Sequence, residues 1–178
     1  YNEEESIFET VTSILNYRKK VDFDLDYVVI NDGSTDKTKQ ILEENHFNAV
    51  NLVMNLGIGG AVQTGYKYAL EHDYDVAVQF DGDGQHDIES LSDLLEPIRK
   101  NEADLVIGSR FVGDVKSEFQ TTFMRRFGIS VISNLIKWTT GQRVLDTTSG
   151  YRLADKDVIK QFAKRYPTKY PEPESIVY

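Results

Sequence analysis

"VVINDGSTDKT" (residues 28–38) joins a short apolar run to a polar turn and then to a helical pattern. Successive Val and Ile residues are typical of a buried strand, Gly33 permits a tight turn, and Ser34 is a common helix-capping residue. The same unit recurs along the chain. Strands are predicted at residues 26–32, 48–54, 75–80 and 103–109, and helices at 3–17, 35–45, 60–71 and 88–100. This alternation predicts an α/β fold with right-handed crossovers and a mostly parallel sheet covered by helices.

The first predicted element is a helix, with Asn2 as its cap and Glu5 completing a capping box. Because strand and helix then alternate, the pattern requires a strand before Tyr1. We therefore expect one domain over residues 1–178 that has lost its first strand and is truncated at the N-terminus and at the C-terminus.

The alternation stops after Arg110. Residues 123–141 predict an amphipathic helix, which either packs on the sheet or faces a membrane. Residues 163–175 contain three of the four prolines and predict a loop, with a last helix starting near Pro173.

Composition excludes several classes of function. The net charge is −9, and no run of basic residues is long enough to follow a phosphate backbone, so nucleic acid is not an expected partner. The sequence contains no cysteine, which excludes disulfides, thiolate zinc sites and cysteine nucleophiles. No apolar run reaches the ~20 residues of a membrane-spanning helix. We expect a cytoplasmic domain, or one associated peripherally with the cytoplasmic face of a membrane.

"QFDGDGQHD" (residues 79–87) carries oxygen-bearing side chains at alternate positions with glycine between them. If the segment is extended, Asp81, Asp83 and Gln85 point to the same side. Such oxygen donors suit Mg²⁺ or Mn²⁺, which complete their coordination with phosphate and water. An EF-hand calcium loop is excluded, because it requires glycine at His86 and glutamate at Ser92. A solvated acidic turn is the simpler alternative.

Other polar residues follow the predicted strands, where α/β proteins bind ligands. Asp32 is expected to bind a nucleobase or a ribose, or to form only an Asx turn. Gly57 opens a glycine-rich helix start that either approaches phosphates or packs tightly on the sheet. Arg110 and Arg152 are candidates for neutralising phosphate oxygens. His86 either contacts a phosphate or caps the helix that follows Asp87.

The ordered set "YNEE", "NDGSTDKT", "N-x-G-x-x-x-A", "DGDGQHD", "GSRF" and "DTTSGYR" resembles the family-2 glycosyltransferases of the GT-A fold. Within that family it is most similar to the dolichyl-phosphate mannose synthase and polyprenyl-phosphate glycosyltransferase branch. The resemblance runs from Tyr1 to about Arg152. The sequence departs from the family pattern at two points. It has Ile58 where relatives often have a basic residue, and it lacks the usual pair of acidic residues that opens the acceptor-side helix.

This resemblance implies roles for individual residues. Tyr1 and Glu3 would lie beside the nucleotide, and Asp32 would bind the base. Asp81 would reach the ribose or the metal, while Asp83 and Gln85 would hold the divalent cation. Arg110 would support the diphosphate or the acceptor.

The resemblance also implies an inverting transfer of a sugar from a UDP- or GDP-linked donor, in cell wall or polysaccharide biosynthesis. A polyprenyl phosphate acceptor is already largely anionic at neutral pH, whereas a glycan hydroxyl needs a general base. The candidates for that base are Glu174, then Glu172, then Asp146. The alternatives are a sugar-1-phosphate nucleotidyltransferase and a non-catalytic nucleotide-sugar-binding domain.

Overall fold

The computed structural model describes residues 1–108 and 149–167. Its elements, in chain order, are α1 (Ile7–Arg18), β1 (Val29–Asn31), α2 (Thr38–Glu44), β2 (Ala49–Asn51), α3 (Gly57–Glu71), β3 (Val76–Gln79), a 3₁₀ turn (Ile88–Ser90), α4 (Leu91–Arg99), β4 (Leu105–Ile107), β5 (Arg152–Asp155) and α5 (Lys156–Lys164). The four predicted strands and the four predicted helices before residue 109 are confirmed, with shorter strands than expected. The predicted helices at 123–141 and near Pro173 lie outside the described residues.

The predicted caps of α1 and α2 are wrong. Both helices start later than expected, α1 at Ile7 and α2 at Thr38. The side chains of Asn2 and Ser34 do not cap these helices and instead form hydrogen bonds between the N-terminal segment and the loop after β1. The Oγ of Ser34 accepts a hydrogen bond from the Asn2 backbone N–H at 2.9 Å, and the Asn2 side-chain oxygen accepts one from the Thr35 N–H at 2.9 Å. These two residues therefore join the N-terminal segment to the loop after β1.

The strands form two separate sheets. β1 pairs with β2 in parallel, as the alternation predicts. In the second sheet β5 lies between β3 and β4 and is antiparallel to both. The strand pairs described in this second sheet are therefore antiparallel, whereas the pair in the first sheet is parallel. Both β5 and α5 were missed, since the sequence analysis ended the alternation at Arg110. The predicted loop from residue 163 is also wrong at its start, because α5 continues to Lys164.

The hydrophobic core lies on both faces of β5. Leu153 is fully buried and packs on one face with residues of α1 and α4 such as Tyr17 and Leu91. Ala154, also fully buried, packs on the other face with Tyr66 of α3 and with α5. Burial of one such leucine contributes about 1.5–3 kcal/mol to folding. Helices cover both faces of this sheet, which confirms the predicted layered α/β architecture.

A cavity of about 610 Å³ lies between the two sheets. Its walls include Val29 and Ile30 of β1 on one side, Val76 and Val78 of β3 on the other, and residues of α1 and α3. The strand expected before Tyr1 stays a prediction. Within residues 1–108 and 149–167, no helix has the length and apolar character needed to cross a membrane.

Candidate functional site

The carboxyl ends of β1 and β3 lie at the same rim of the cavity. Asp32 follows β1, and Asp81 and Asp83 follow β3, and all three residues line the same space. Asn55, from the loop after β2, lines it as well. The N-terminal Tyr1 and Glu3 add to the wall beside these carboxylates. The fold thus brings together polar side chains from four separate segments.

Asp32 is buried and held firmly at this rim, with 4% of its surface exposed. Its carboxylate Oδ1 accepts a hydrogen bond from the Leu56 backbone N–H at 2.7 Å, and its backbone carbonyl accepts one from the Asn55 side chain at 3.1 Å. The Asx-type contact at this turn is made by Asn31, whose Oδ1 accepts from the Ser34 N–H at 3.3 Å. The side chain of Asp32 is therefore not needed for this Asx contact, and its carboxylate is held in a fixed orientation on a residue that lines the cavity.

The loops after β1 and β2 touch at Gly33. Its backbone is left-handed, with φ +63°, and a Cβ at this position would lie 2.7 Å from both Asn55 N and Met54 C. Gly57 has a similar φ of +76° but open space where a Cβ would lie. Only Gly33 is thus required both by conformation and by close approach of the neighbouring backbone.

The segment after β3 is a turn, so the expected extended geometry is wrong. Gly84 has φ +73°, and the Asp83 side chain accepts a hydrogen bond from the Gln85 N–H at 2.9 Å. On the other side of the turn, the Thr10 hydroxyl of α1 donates to the Gly82 carbonyl at 3.2 Å. Alternation along a strand therefore does not place the three donors on one side. Asp81 and Asp83 line the cavity, whereas Gln85 is exposed and is not among its lining residues.

His86 bonds to a carboxylate, a contact that sequence reasoning did not predict. Its Nε2 lies 2.9 Å from Asp81 Oδ2, and its side chain is only 7% exposed. The predicted helix-capping role belongs to Asp87 instead, whose side chain accepts from the Glu89 N–H at 3.0 Å. Tyr151 packs against His86, and burial raises the pKa of this tyrosine to about 12. The phenol therefore stays neutral at physiological pH.

The two cavity-lining carboxylates after β3 fit a divalent cation that is shared with a ligand. In the part of the chain that the structure describes, no cluster of three or more His, Cys, Asp or Glu side chains could hold a metal by itself. Mg²⁺ is usually bound by one or two carboxylates, with substrate phosphates and water completing its coordination. Asp81 and Asp83 match that donor set.

Arg152 lies in the core. Its side chain is fully buried in β5, and its Nε donates to the Ser149 carbonyl at 2.9 Å. This burial does not favour the predicted contact with a phosphate at the rim. The other sequence candidates, Arg110, Asp146, Glu172 and Glu174, lie outside the described residues.

Two features of the site were missed because their partners are distant in sequence. Thr38 of α2 anchors the N-terminal segment by accepting a hydrogen bond from the Glu3 N–H at 2.9 Å. Gly150 packs directly on the carboxylate of Asp81. The glycine in "SGYR" was the only available signal, and it did not indicate which residue it would contact.

Comparison with known proteins gives consistent matches. The sequence profile described as Glycosyl transferase family 2 matches residues 1–163. UDP-N-acetylglucosamine–dolichyl-phosphate N-acetylglucosaminyltransferase of Methanococcus voltae is 33% identical, over 94% of this chain and 73% of the relative. Undecaprenyl-phosphate mannosyltransferase of Micrococcus luteus is 35% identical, over 76% of this chain and 56% of the relative. Polyprenol monophosphomannose synthase of Mycolicibacterium smegmatis is 32% identical, over 75% and 52%.

Among solved structures, glucosyl-3-phosphoglycerate synthase from Mycobacterium tuberculosis, in complex with phosphoglyceric acid, superposes with a TM-score of 0.61. The sequence identity is 22%, and the match covers 88% of this chain and 54% of that chain. At this identity the likeness shows a shared fold. The chain spans between about half and three quarters of the length of these relatives.

Proposed function

This chain belongs to glycosyl transferase family 2, and we propose that it moves a sugar from a nucleoside diphosphate donor to a polyprenyl phosphate, with inversion at the anomeric carbon. The observation that carries the proposal is the placement of Asp32, Asp81 and Asp83 around one cavity at the carboxyl ends of β1 and β3. The family match confirms the resemblance drawn from the motifs. It gives no support to the nucleotidyltransferase alternative.

The donor is proposed to lie along the cavity rim. Asp32 is fixed by the Leu56 N–H and offers its carboxylate to base or ribose donors. Asp81 and Asp83 lie on the opposite wall, at the end of β3, where the diphosphate would sit. Tyr1 and Glu3 complete the wall beside the nucleotide. Uracil and guanine are the two candidate bases.

Asp81 and Asp83 are the proposed holders of Mg²⁺ or Mn²⁺, with Gln85 contributing after a rearrangement of its exposed side chain. When bound, such an ion stabilises the negative charge that develops on the departing diphosphate. The chain's own contribution is positional, because the Gln85 N–H and the Thr10 hydroxyl fix the turn that carries both carboxylates.

The names of three relatives support a lipid phosphate as acceptor, since each contains a dolichyl, undecaprenyl or polyprenol group. In the proposed step a phosphate oxygen attacks the anomeric carbon while the bond to the donor diphosphate breaks. The nucleoside diphosphate leaves with the electron pair. Because the acceptor phosphate is already largely anionic, no proton has to be removed. Glu174→Gln should then leave transfer to a polyprenyl phosphate intact, whereas a glycan acceptor would require Glu174, Glu172 or Asp146 as base.

An exposed apolar loop supports peripheral association with the membrane that holds such an acceptor. Val53, Met54, Leu56 and Ile58 are all exposed, next to the Asp32 end of the site. Residues 47–66 contain no Asp, Glu, Lys or Arg, so insertion of this loop into a lipid surface would desolvate no charged side chain of its own. We propose that the domain works at the cytoplasmic face. Co-sedimentation with phosphatidylcholine vesicles should fall for Val53→Ser and Met54→Ser, and unchanged binding would contradict the assignment.

Titration calorimetry tests the central proposal. UDP and GDP are each titrated into the protein with and without Mn²⁺, and one of them should bind more tightly with the ion. The corresponding sugar donors, incubated with a polyprenyl phosphate, should then give a glycolipid. Metal-dependent binding without any turnover would favour the non-catalytic alternative. Equal binding with and without Mn²⁺ would contradict the proposed metal site.

A further inference from the structure

His86 is a buried polar side chain whose role the proposed transfer leaves open. We propose that His86 is a positioning residue, which together with Gly150 fixes the carboxylate of Asp81 in the orientation that the donor and its cation require. The inference rests on the proposed function in one respect, namely that Asp81 faces the donor.

The imidazole is held in place by aromatic packing. Its ring centroid lies 5.5 Å from that of Phe80 and 5.1 Å from that of Tyr151. These two rings also contact each other edge to face, with centroids 5.3 Å apart. These aromatic contacts therefore restrict the position of His86 in addition to its contact with Asp81. A group held in this way can orient a flexible neighbour at little entropic cost.

The contact between the two side chains has a defined direction. His86 Nε2 lies 2.9 Å from Asp81 Oδ2. An ionised carboxylate can only accept hydrogen bonds, so the proton of this bond is carried by Nε2. The Asp81 side chain keeps 38% exposure and lines the cavity, whereas His86 is almost completely covered. The histidine thus contacts the aspartate without itself being among the residues that line the cavity.

Gly150 restricts Asp81 from a second direction. A Cβ at this position would lie 2.9 Å from Asp81 Cγ and 2.9 Å from Oδ1, and closer still to Oδ2. The glycine has little freedom to retreat, because the adjoining Ser149 is fully buried and accepts hydrogen bonds from Tyr151 N–H at 3.3 Å and from Arg152 Nε at 2.9 Å. Only glycine leaves room for the carboxylate in its observed place. This contact gives a physical reason for the glycine of "SGYR".

Together the two contacts hold Asp81 in one arrangement before any ligand binds. A carboxylate that is already oriented loses less conformational freedom on binding a cation or a hydroxyl than one that rotates freely. Groups in this supporting position typically change metal affinity or activity by about 10- to 100-fold when they are removed.

The test uses two substitutions at His86 and measures Mn²⁺ binding by electron paramagnetic resonance, with UDP or GDP present. His86→Leu removes the N–H and keeps apolar bulk against the aromatic rings. His86→Gln keeps an N–H at a similar reach and serves as the matched control. We expect Mn²⁺ to bind roughly 10- to 100-fold more weakly to the Leu variant, with most of the affinity restored in the Gln variant. Melting temperatures verify that each variant is folded.

A double-mutant cycle separates positioning from a general structural effect. In an Asp81→Ala background, His86→Leu should change the Mn²⁺ affinity by less than about twofold, because the side chain it acts through has been removed. An equally large loss in both backgrounds would overturn the proposal, as would a folded Leu variant with wild-type affinity.

If His86→Leu does not fold, Gly150→Ala tests whether the orientation of the Asp81 carboxylate affects Mn²⁺ binding. It displaces the Asp81 carboxylate while leaving His86 intact, so a similar loss of Mn²⁺ affinity is expected, and unchanged affinity would overturn the proposal. The wild-type protein distinguishes the two levels of inference. If it shows no Mn²⁺-dependent nucleotide binding, the proposed function fails and this inference fails with it. If it shows such binding and the variants match it, only the role of His86 and Gly150 is refuted.

Discussion

Gly33→Ala is expected to disrupt the contact between the loops that carry Asp32 and Asn55. Gly57→Ala provides the matched control, since both glycines have left-handed backbones, with φ +63° and φ +76°. A Cβ at Gly33 would lie 2.7 Å from Asn55 N and from Met54 C, whereas at Gly57 it would meet nothing within 4 Å. The two substitutions therefore share the conformational strain and differ in the steric clash.

The magnitude follows from these contacts. Placing an L-residue in the left-handed region costs about 1–2 kcal/mol, which is the whole effect expected for Gly57→Ala. At Gly33 the loops must also separate, because unstrained carbon contacts lie at about 3.5–4.0 Å. Separation weakens the hydrogen bond of 2.7 Å between Leu56 N–H and the Asp32 carboxylate. Loss of a bond to a charged group adds about 1.5–3 kcal/mol, which brings the expected total for Gly33→Ala to about 2.5–5 kcal/mol.

Urea denaturation followed by circular dichroism measures both free energies of unfolding on the same protein background. For a chain of this size each kcal/mol corresponds to roughly 2–4 °C in melting temperature, so thermal melts give an independent comparison. Gly33→Ala should also weaken nucleotide binding, because Asp32 moves with the loop. If the two variants lose the same free energy of unfolding, the close approach at Gly33 does not stabilise the site and the reasoning is refuted.

Three further substitutions probe the site, the core and the N-terminal junction. Asp83→Ala should keep the melting temperature of the wild type and lose metal-dependent transfer, because among the residues that the structure describes the exposed carboxylate hydrogen-bonds only locally, to the Gln85 N–H; undiminished turnover would contradict the metal assignment. Leu153→Ala, at a fully buried position in β5, should lose about 2–5 kcal/mol of unfolding free energy in urea; a loss near zero would show that β5 is not central to the core. Burial alone would raise the pKa of Asp36, but hydrogen bonds from the Thr38 hydroxyl and from the Thr38 and Glu4 N–H groups hold it below its ordinary value. A carboxyl group whose pKa is lower in the folded state stabilises the protein at pH values above its unfolded-state pKa. This stabilisation is lost as the pH falls through the folded-state pKa. Asp36→Asn should therefore be destabilising near neutral pH and indistinguishable from wild type in stability well below about pH 4. A pH-independent difference would contradict this account.

Part of the site was predictable because the relevant signals are local. Asp32 and Asp81 each follow a run of Val, Ile or other apolar residues that forms a strand, and strand–helix–strand crossovers bring the carboxyl ends of successive strands to one side of the domain. That rule placed residues from separate segments around one cavity without any knowledge of the contacts. The extended geometry assumed for residues 81–85 was wrong, because Gly84 adopts a left-handed conformation that turns the chain.

Long-range pairing was not predictable from the same signals. β5 is only four residues long and begins with Arg152, a charged residue whose burial depends on neighbours far away in sequence. Its neighbours in the sheet, β3 and β4, are separated from it by more than forty residues of chain. Local propensity contains no information about that choice of partner.

The sequence by itself determined the order of strands and helices before residue 109, the family, and the rim on which the acidic residues lie, since each depends on periodicity or on a motif within a short segment. The tertiary structure alone decided that β5 enters the sheet antiparallel between β3 and β4, and that Gly150 and His86 enclose Asp81. The pairing of β5 and the contact of Gly150 join segments distant in the chain, and the short-range contact of His86 depends on the turn at Gly84 and on packing against Tyr151. All of them depend on the close packing of the core, which no local pattern of residues specifies.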